Sequence, residues 1–338
     1  MGKYFISKKS TSMFLAVFLI LPCFLSASDW PMSRSNEANS SYSPDSIQVP
    51  LYLKWETPDR DIEENNIVGA GDRIFQEDED DGLQSFDLCS GEEDVTYTPV
   101  YGYTTTPSIS GSRIYSYDMS SGFVVVRCFD IDSGTLLWTS PPLSPGIQFT
   151  TASGPIIDGN YLYFLLATNN PAEKGSIWAI DASTGAVKPG FPVFFATSYI
   201  DIFEKNVSID GGRMYFYDPY NMVLYGYDLN GNPLPNFPVS VPASVSNNEN
   251  FGKVIISGNK LFFYTFNSSL TMAVYGYDAT TGLPLSGFPV GAGSGSYATG
   301  GVCSYNNIIY ALDSYATLYA LFKVSEGWSF VRFDDMMV

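Results

Sequence analysis

One short line of sequence recurs six times in this chain, and it limits the fold more than any other feature. A Gly or Asn is followed by two spacer residues and an aliphatic–aromatic pair. It reads Gly71-Asp-Arg-Ile-Phe75, Gly111-Ser-Arg-Ile-Tyr115, Gly159-Asn-Tyr-Leu-Tyr163, Gly211-Gly-Arg-Met-Tyr215, Gly258-Asn-Lys-Leu-Phe262 and Asn306-Asn-Ile-Ile-Tyr310. The aromatic anchors are 40, 48, 52, 47 and 48 residues apart. A period in that range marks an array in which one supersecondary unit is stacked or arranged radially to bury a shared core.

A second line follows each anchor but the last: an apolar residue, Asp, two residues, then a small polar residue and Gly. The instances run Asp87 to Gly91, Asp130 to Gly134, Asp181 to Gly185, Asp228 to Gly231 (one residue shorter) and Asp278 to Gly282. The sixth repeat has Leu321-Phe322 in place of the Asp. This is turn chemistry. An Asp at a strand end accepts backbone N–H bonds from the residues beyond it, and Gly supplies the positive φ that turns the chain back. We read these five Asp–Gly pairs as structural turns, not as a ring of ligands.

Each repeat divides into four strand-sized pieces. In the third these are 154–157, 161–167, 176–180 and 186–193, with Asp158-Gly159-Asn160 as a tight hairpin between the first two. The mature chain has no sustained 3.6-residue apolar period, which disfavours a helical solenoid. The expected fold is therefore all-β: a β-propeller of four-stranded antiparallel blades with six visible repeats. Leu51-Tyr-Leu-Lys-Trp55 reads as a detached outer strand suited to closing the ring, yet Gly327-Trp328-Ser-Phe330 also fits as the outer strand of repeat six. Six blades, seven blades and a piece of a larger ring all satisfy the sequence.

Composition narrows function. The chain contains no histidine. That excludes Ser-His-Asp and Cys-His nucleophiles, His-ligated zinc and proximal-His haem. The net charge is −18, and it becomes −21 without residues 1–28, which carry Lys3, Lys8, Lys9 and no acid. Such a chain repels phosphate backbones, so no nucleic-acid partner is expected.

Residues 1–28 have the three parts of a secretory signal: a basic start, the apolar run Met13–Leu25, and the small residues Ser26-Ala27-Ser28 before Asp29. The apolar run is short for a membrane span. The expected organisation is a signal peptide over 1–28, an extended segment over 29–50 and the propeller over 51–338. The product is expected to be periplasmic or extracellular, with no transmembrane segment in the mature chain. Leu21-Pro22 before Cys23 does not fit a lipid-attachment site. The mature cysteines, Cys89, Cys128 and Cys303, have no metal-ligand or redox spacing and read as isolated small hydrophobes.

The stretch Asp130-Ile-Asp-Ser133-Gly134-Thr-Leu-Leu-Trp138 resembles the repeat of the pyrroloquinoline-quinone (PQQ)-like family, in which Asp-x-x-Thr-Gly is followed four residues later by a docking Trp. Asp29-Trp-Pro-Met32 with Ser41-Tyr42-Ser43-Pro44 looks like the opening of many exported members. The resemblance implies a propeller scaffold over nearly all of the mature chain. Repeats three, four and five replace the Trp by Phe191-Pro192-Val193, Phe237-Pro238-Val239 and Phe288-Pro289-Val290, where Pro suits an outer edge strand. Family members that are quinoprotein dehydrogenases carry an adjacent Cys pair and a Ca²⁺ site of Glu, Asn and Asp. This chain has no adjacent cysteines, so neither PQQ nor Ca²⁺ is expected.

Glu77-Asp-Glu-Asp-Asp81 is the densest acidic cluster. It falls at the hairpin between second and third strands and reads as a solvated turn, with Asp78, Asp80 and Asp81 as weak candidates for a cation. No catalytic or cofactor-binding residue is assigned. The expected function is a non-catalytic exported scaffold that binds a protein, peptide or glycan, as the resemblance to outer-membrane assembly components also implies. The alternatives are a PQQ- and Ca²⁺-dependent oxidoreductase and a carbohydrate-active enzyme with paired carboxylates.

Overall fold

The computed structural model describes residues 29, 31–32, 36, 67–78, 82–97, 105–118, 124–143, 149–168, 175–196, 207–243, 253–266, 272–291, 302–312, 318–324 and 327–333. These residues form the six sheets of a β-propeller, each with four strands in sequential antiparallel order, and the third sheet has one further strand, at 149–152, paired with 166–168. Blade 1 is β1 (Ile67–Ala70), β2 (Arg73–Asp78), β3 (Gly82–Asp87) and β4 (Glu93–Thr96). Blade 2 is β5 (Ser108–Ser110), β6 (Arg113–Asp118), β7 (Val125–Asp130) and β8 (Leu136–Thr139). Blade 3 adds β9 (Phe149–Ala152) to β10 (Ile156–Asp158), β11 (Tyr161–Thr168), β12 (Gly175–Asp181) and β13 (Val193–Ala196). Blade 4 is β14 (Ser208–Asp210), β15 (Arg213–Asp218), β16 (Val223–Asp228) and β17 (Val239–Ser240). Blade 5 is β18 (Ile255–Ile256), β19 (Lys260–Phe266), β20 (Met272–Asp278) and β21 (Val290–Gly291). Blade 6 is β22 (Val302–Tyr305), β23 (Ile308–Leu312), β24 (Leu318–Val324) and β25 (Gly327–Phe333).

Period-2 alternation fails in the second and third strands for a physical reason. Both faces of these central strands pack against neighbouring blades, so β6 is buried from Ile114 to Asp118 and β12 from Gly175 to Ile180. Sheets covered on both faces read as near-continuous apolar runs. The anchors Phe75, Tyr115, Tyr163, Tyr215 and Phe262 are all at most 1% exposed. The outer strands are short and carry exposed apolar side chains such as Leu136, Leu137 and Phe194.

The fourth strand of blade 3 begins later than the sequence suggested. Only an isolated bridge joins Ile180 to Val187, and the regular strand starts at Val193. A turn closed by Phe191 N–H to the Lys188 carbonyl (3.1 Å) takes up the intervening residues. Trp328 lies on β25, which pairs along β24 and completes the sixth sheet. Leu51–Trp55, residues 1–28 and Asp334–Val338 lie outside the described residues.

The first strands of blades adjoin along the inner side, β1 with β5 and β5 with β10, then β14 with β18 and β18 with β22. Serine hydroxyls tie two of these junctions: Ser108 donates to the Pro155 carbonyl, and Ser208 to that of Val254. The N-terminal segment joins this inner side. Asp29 Oδ1 accepts the Gly71 N–H at 2.8 Å, and the Pro31 carbonyl accepts that of Ile109 at 2.6 Å. Met32 is buried with the core of blades 2 and 3.

Candidate functional site

Because the strands alternate in direction, the first-to-second and third-to-fourth connections lie on one face, here the turn face. The second-to-third and blade-to-blade connections lie on the other, the loop face. On the turn face, Asp130 Oδ1 accepts the N–H groups of Asp132 (3.2 Å) and Ser133 (2.9 Å) and the Ser133 hydroxyl (2.8 Å). Asp87, Asp181 and Asp278 accept the same backbone pair in their own turns. Asp228, in the shorter turn, accepts from Asn230 and Asn232. Gly91, Gly134, Gly185, Gly231 and Gly282 all have positive φ, and each donates its N–H to the Asp carbonyl of its turn. The hydroxyl bonds hold the carboxyls of Asp130 and Asp181 below the usual range, and the Thr281 N–H does so for Asp278.

The residue after each turn Asp is a junction between blades. The N–H of Ile131, Ala182 and Ala279 bonds to the first turn of its own blade. Their carbonyls, and that of Leu229, face the preceding blade. Tyr97 and Arg73 both donate to the Ile131 carbonyl (3.0 and 2.8 Å), and Tyr115 and Arg113 both to that of Ala182 (3.1 Å each). Tyr163 and Lys188 both donate to Leu229 (3.4 and 2.6 Å), and Tyr215 donates to Ala279 (2.7 Å). Desolvation accordingly pushes the Tyr97 and Tyr115 phenols up to about 12.

Trp138 makes two contacts that repeats three and four divide between two residues. Its ring lies 5.9 Å from that of Tyr115 in its own blade, and a Cβ at Gly185 in the next blade would lie 2.5 Å from its Cε3. In repeat three Phe191 takes the first contact, with Tyr163, and Val193 the second, with Gly231. Phe237 and Val239 do the same for Tyr215 and Gly282. All three Phe–Pro bonds are cis. The sequence displays the Phe-Pro-Val line but not this division of contacts.

The acidic cluster falls apart in space. Asp78 ends β2, whereas Asp80 and Asp81 lie outside the described residues. Glu77, grouped with them as part of a solvated turn, is instead 5% exposed between blades 1 and 2. Its Oε1 accepts the Ser116 hydroxyl at 2.6 Å, while Oε2 and the neighbouring Thr105 Oγ1 are buried without a hydrogen-bond partner. Burial pushes its carboxyl up to about 8, against the Ser116 and Thr105 hydrogen bonds and with the Asp118 charge adding. A signal for this burial is present in the sequence. Glu77 stands two residues past its anchor, where other repeats have Tyr117, Leu165, Tyr217 and Tyr264, all buried. Asp118 pairs with Arg127 just beyond.

Among the described residues no three Asp, Glu or Cys side chains come close enough together to hold a metal ion. Of the described cysteines, Cys89 is exposed, Cys303 half-buried and Cys128 buried. Burial pushes the Cys128 thiol up to about 12. On the loop face the fourth strand of each of blades 1 to 5 ends, and the first described strand of the next blade begins, nine or more residues apart in sequence. The described apex of this face in blade 4 is the turn 219–222, where Asp218 accepts the N–H groups of Tyr220 and Asn221 and leaves Tyr220 36% exposed.

Residues 53–193 match the family model described as outer membrane protein assembly factor BamB. No curated protein matches the chain in sequence. In structure it is similar to BamB from Moraxella catarrhalis, with a TM-score of 0.52, 16% identity, and coverage of 81% of this chain and 75% of that one. It is similar also to a europium-containing methanol dehydrogenase, with a TM-score of 0.56, 12% identity, and coverage of 90% and 73%. A quinohemoprotein alcohol dehydrogenase from Comamonas testosteroni gives a TM-score of 0.51, 14% identity, and coverage of 87% of this chain but 58% of that enzyme. At these identities the likeness is one of fold.

Proposed function

We propose that this chain, a β-propeller of the PQQ-like repeat family, is an exported non-catalytic scaffold that engages a protein or peptide partner through its loop face. The observation that supports this most is the different use of the two faces. On the turn face each repeated aspartate has its Oδ1 committed to donors of its own turn, so in this reading they serve the fold and not a substrate. At the loop face, successive blades are instead joined through nine or more residues of sequence. Connections of that length on a rigid scaffold are where binding residues concentrate. The similarity to BamB supports a docking role, and the match to its family model does so over 53–193.

A quinone reading needs residues that the described chain does not supply. The cysteines at 23, 89, 128 and 303 include no adjacent pair, and no three described carboxylates or thiols converge. No step is therefore derived through that cofactor.

The test places a photo-crosslinking residue at Tyr220 on the loop face or at Asn307 on the turn face, in the exporting cell. Adducts of one defined mass from position 220 and none from 307 are expected. Equal labelling at both positions, or dye reduction by the purified protein supplied with PQQ and Ca²⁺, would overturn the reading.

A further inference from the structure

Three arginines occupy one position of the repeat, two residues past the glycine of the first turn: Arg73, Arg113 and Arg213. In two of them the protein itself supplies side-chain partners. Arg73 sets Nε 2.6 Å from Asp94 Oδ2 and an Nη 3.1 Å from Asp132 Oδ1. Arg213 donates to Thr280 Oγ1 at 3.2 Å and to Asn259 Oδ1 at 3.1 Å. Arg113 has its bond to the Ala182 carbonyl. The residue equivalent to Asp132 and Thr280 is here Ser183, which carries no charge and donates its hydroxyl to Asp181 at 2.5 Å. The equivalent of Asp94 is Leu137, an exposed aliphatic.

Those replacements leave a cleft of about 250 Å³ between blades 2 and 3, lined by Arg113, Ser110, Ser112, Asn160 and Ser183. A guanidinium carries five N–H donors in a planar fork that matches a carboxylate. We propose that this cleft binds a carboxylate carried by an acidic side chain of a peptide, with Arg113 as its main donor.

Blade 1 identifies the occupant, because there the same arginine position is filled by two aspartate side chains. The turn carboxylates Asp130 and Asp181 oppose an incoming anion. Their counterparts Asp87 and Asp130 flank Arg73, and two further carboxylates are nevertheless held beside it. The volume is below the roughly 300–1,000 Å³ of a pocket for a drug-sized ligand, which suits one side chain and not a larger group. The cleft is on the turn face, so it stands or falls independently of docking at the loop face.

The test follows the Arg113 Nε–H resonance of the mature chain during titration with N-acetylglutamate α-amide at constant ionic strength. A saturable shift with a Kd on the order of 1–10 mM is expected, and none with the glutamine analogue. Arg113→Gln, followed through backbone amides of the cleft, is expected to weaken binding by about tenfold or more. Ser183→Asp, which fills the cleft as Asp132 does in blade 1, is expected to do likewise while leaving the arginine in place. No saturation below about 100 mM, an equal response to the glutamine analogue, or a Ser183→Asp variant that binds like the parent would overturn the proposal. Tighter binding of glucuronate than of the glutamate derivative would overturn the peptide assignment.

Discussion

Replacing Glu77 by Gln is expected to stabilise the protein by an amount that grows with pH. The carboxyl is buried between blades 1 and 2, with Oε2 unpaired and the pKa raised from an ordinary 4.5 to about 8 by desolvation. A raised carboxyl pKa means that the folded state binds a proton which the unfolded state has released. Stability therefore falls as pH rises from the unfolded value, and levels off above the folded one. At 1.36 kcal/mol per unit, the penalty is about 3 kcal/mol at pH 7 and about 5 kcal/mol above pH 9. Glutamine keeps the acceptor for the Ser116 hydroxyl and brings an amide donor toward the unpaired Thr105 Oγ1, without the ionisation. Urea unfolding of both proteins from pH 5 to pH 8 should give stabilities that diverge by about 3 kcal/mol. The window is clean because a chain without histidine has no side chain of ordinary pKa titrating there. Curves that run parallel within about 0.5 kcal/mol would refute the reasoning, since Glu77 would then have to be solvated or paired.

Gly185→Ala places a Cβ 2.5 Å from the Trp138 ring at a φ of +75°, so a loss of about 2–4 kcal/mol is expected from overpacking and left-handed backbone together; chemical unfolding measures it. Tyr215→Phe removes the hydroxyl that reaches the Ala279 carbonyl, and about 1 kcal/mol should be lost in the same assay. Cys128 is buried with its thiol pushed up to about 12, whereas Cys89 is exposed. Iodoacetamide at pH 8 should label Cys89 in the native protein and Cys128 only after denaturation, as read by peptide mass.

The parts of this fold that sequence reading recovers are those whose physics is local. The six anchors and the Asp-to-Gly turns are legible because a turn's hydrogen bonds lie within five residues, as Asp130 shows with Asp132 and Ser133. What joins blades is not legible. Tyr115 reaches Ala182 across 67 residues, and nothing in either local sequence names the other. Glu77 misled for a related reason. Its immediate neighbours Asp78, Glu79, Asp80 and Asp81 suggest solvent, whereas its place in the repeat suggests core, and burial follows the repeat. The Arg113 cleft needed both kinds of information. The three arginines are visible in sequence, but which of them faces a cleft depends on residues far along the chain, such as Ser183 for Arg113.

The same inter-blade bonds set one junction apart from four others. Four successive junctions, from blade 1 to blade 5, carry a tyrosine hydroxyl on the carbonyl that follows a turn Asp. At the junction of blades 5 and 6 the anchor and the turn that supply this pair between blades 2 and 5 are both changed. Its anchor is Phe262, which has no hydroxyl, and blade 6 has Leu321-Phe322 in place of the Asp turn. Aromatic packing of Phe262, Phe288 and Trp328 holds it instead. In repeat architectures stability is a sum of unit and nearest-neighbour terms, so a junction without this hydroxyl–carbonyl pair is expected to open before those that carry it. Native-state hydrogen exchange should show the amides of Ile308–Leu312 opening at about 1–3 kcal/mol below those of Tyr161–Thr168. Equal protection in β23 and β11 would show that aromatic packing alone is as strong as the hydroxyl–carbonyl pair. Phe262→Tyr offers no remedy in that scheme, because the acceptor turn is missing from blade 6. The junction changes only if donor and acceptor are restored together.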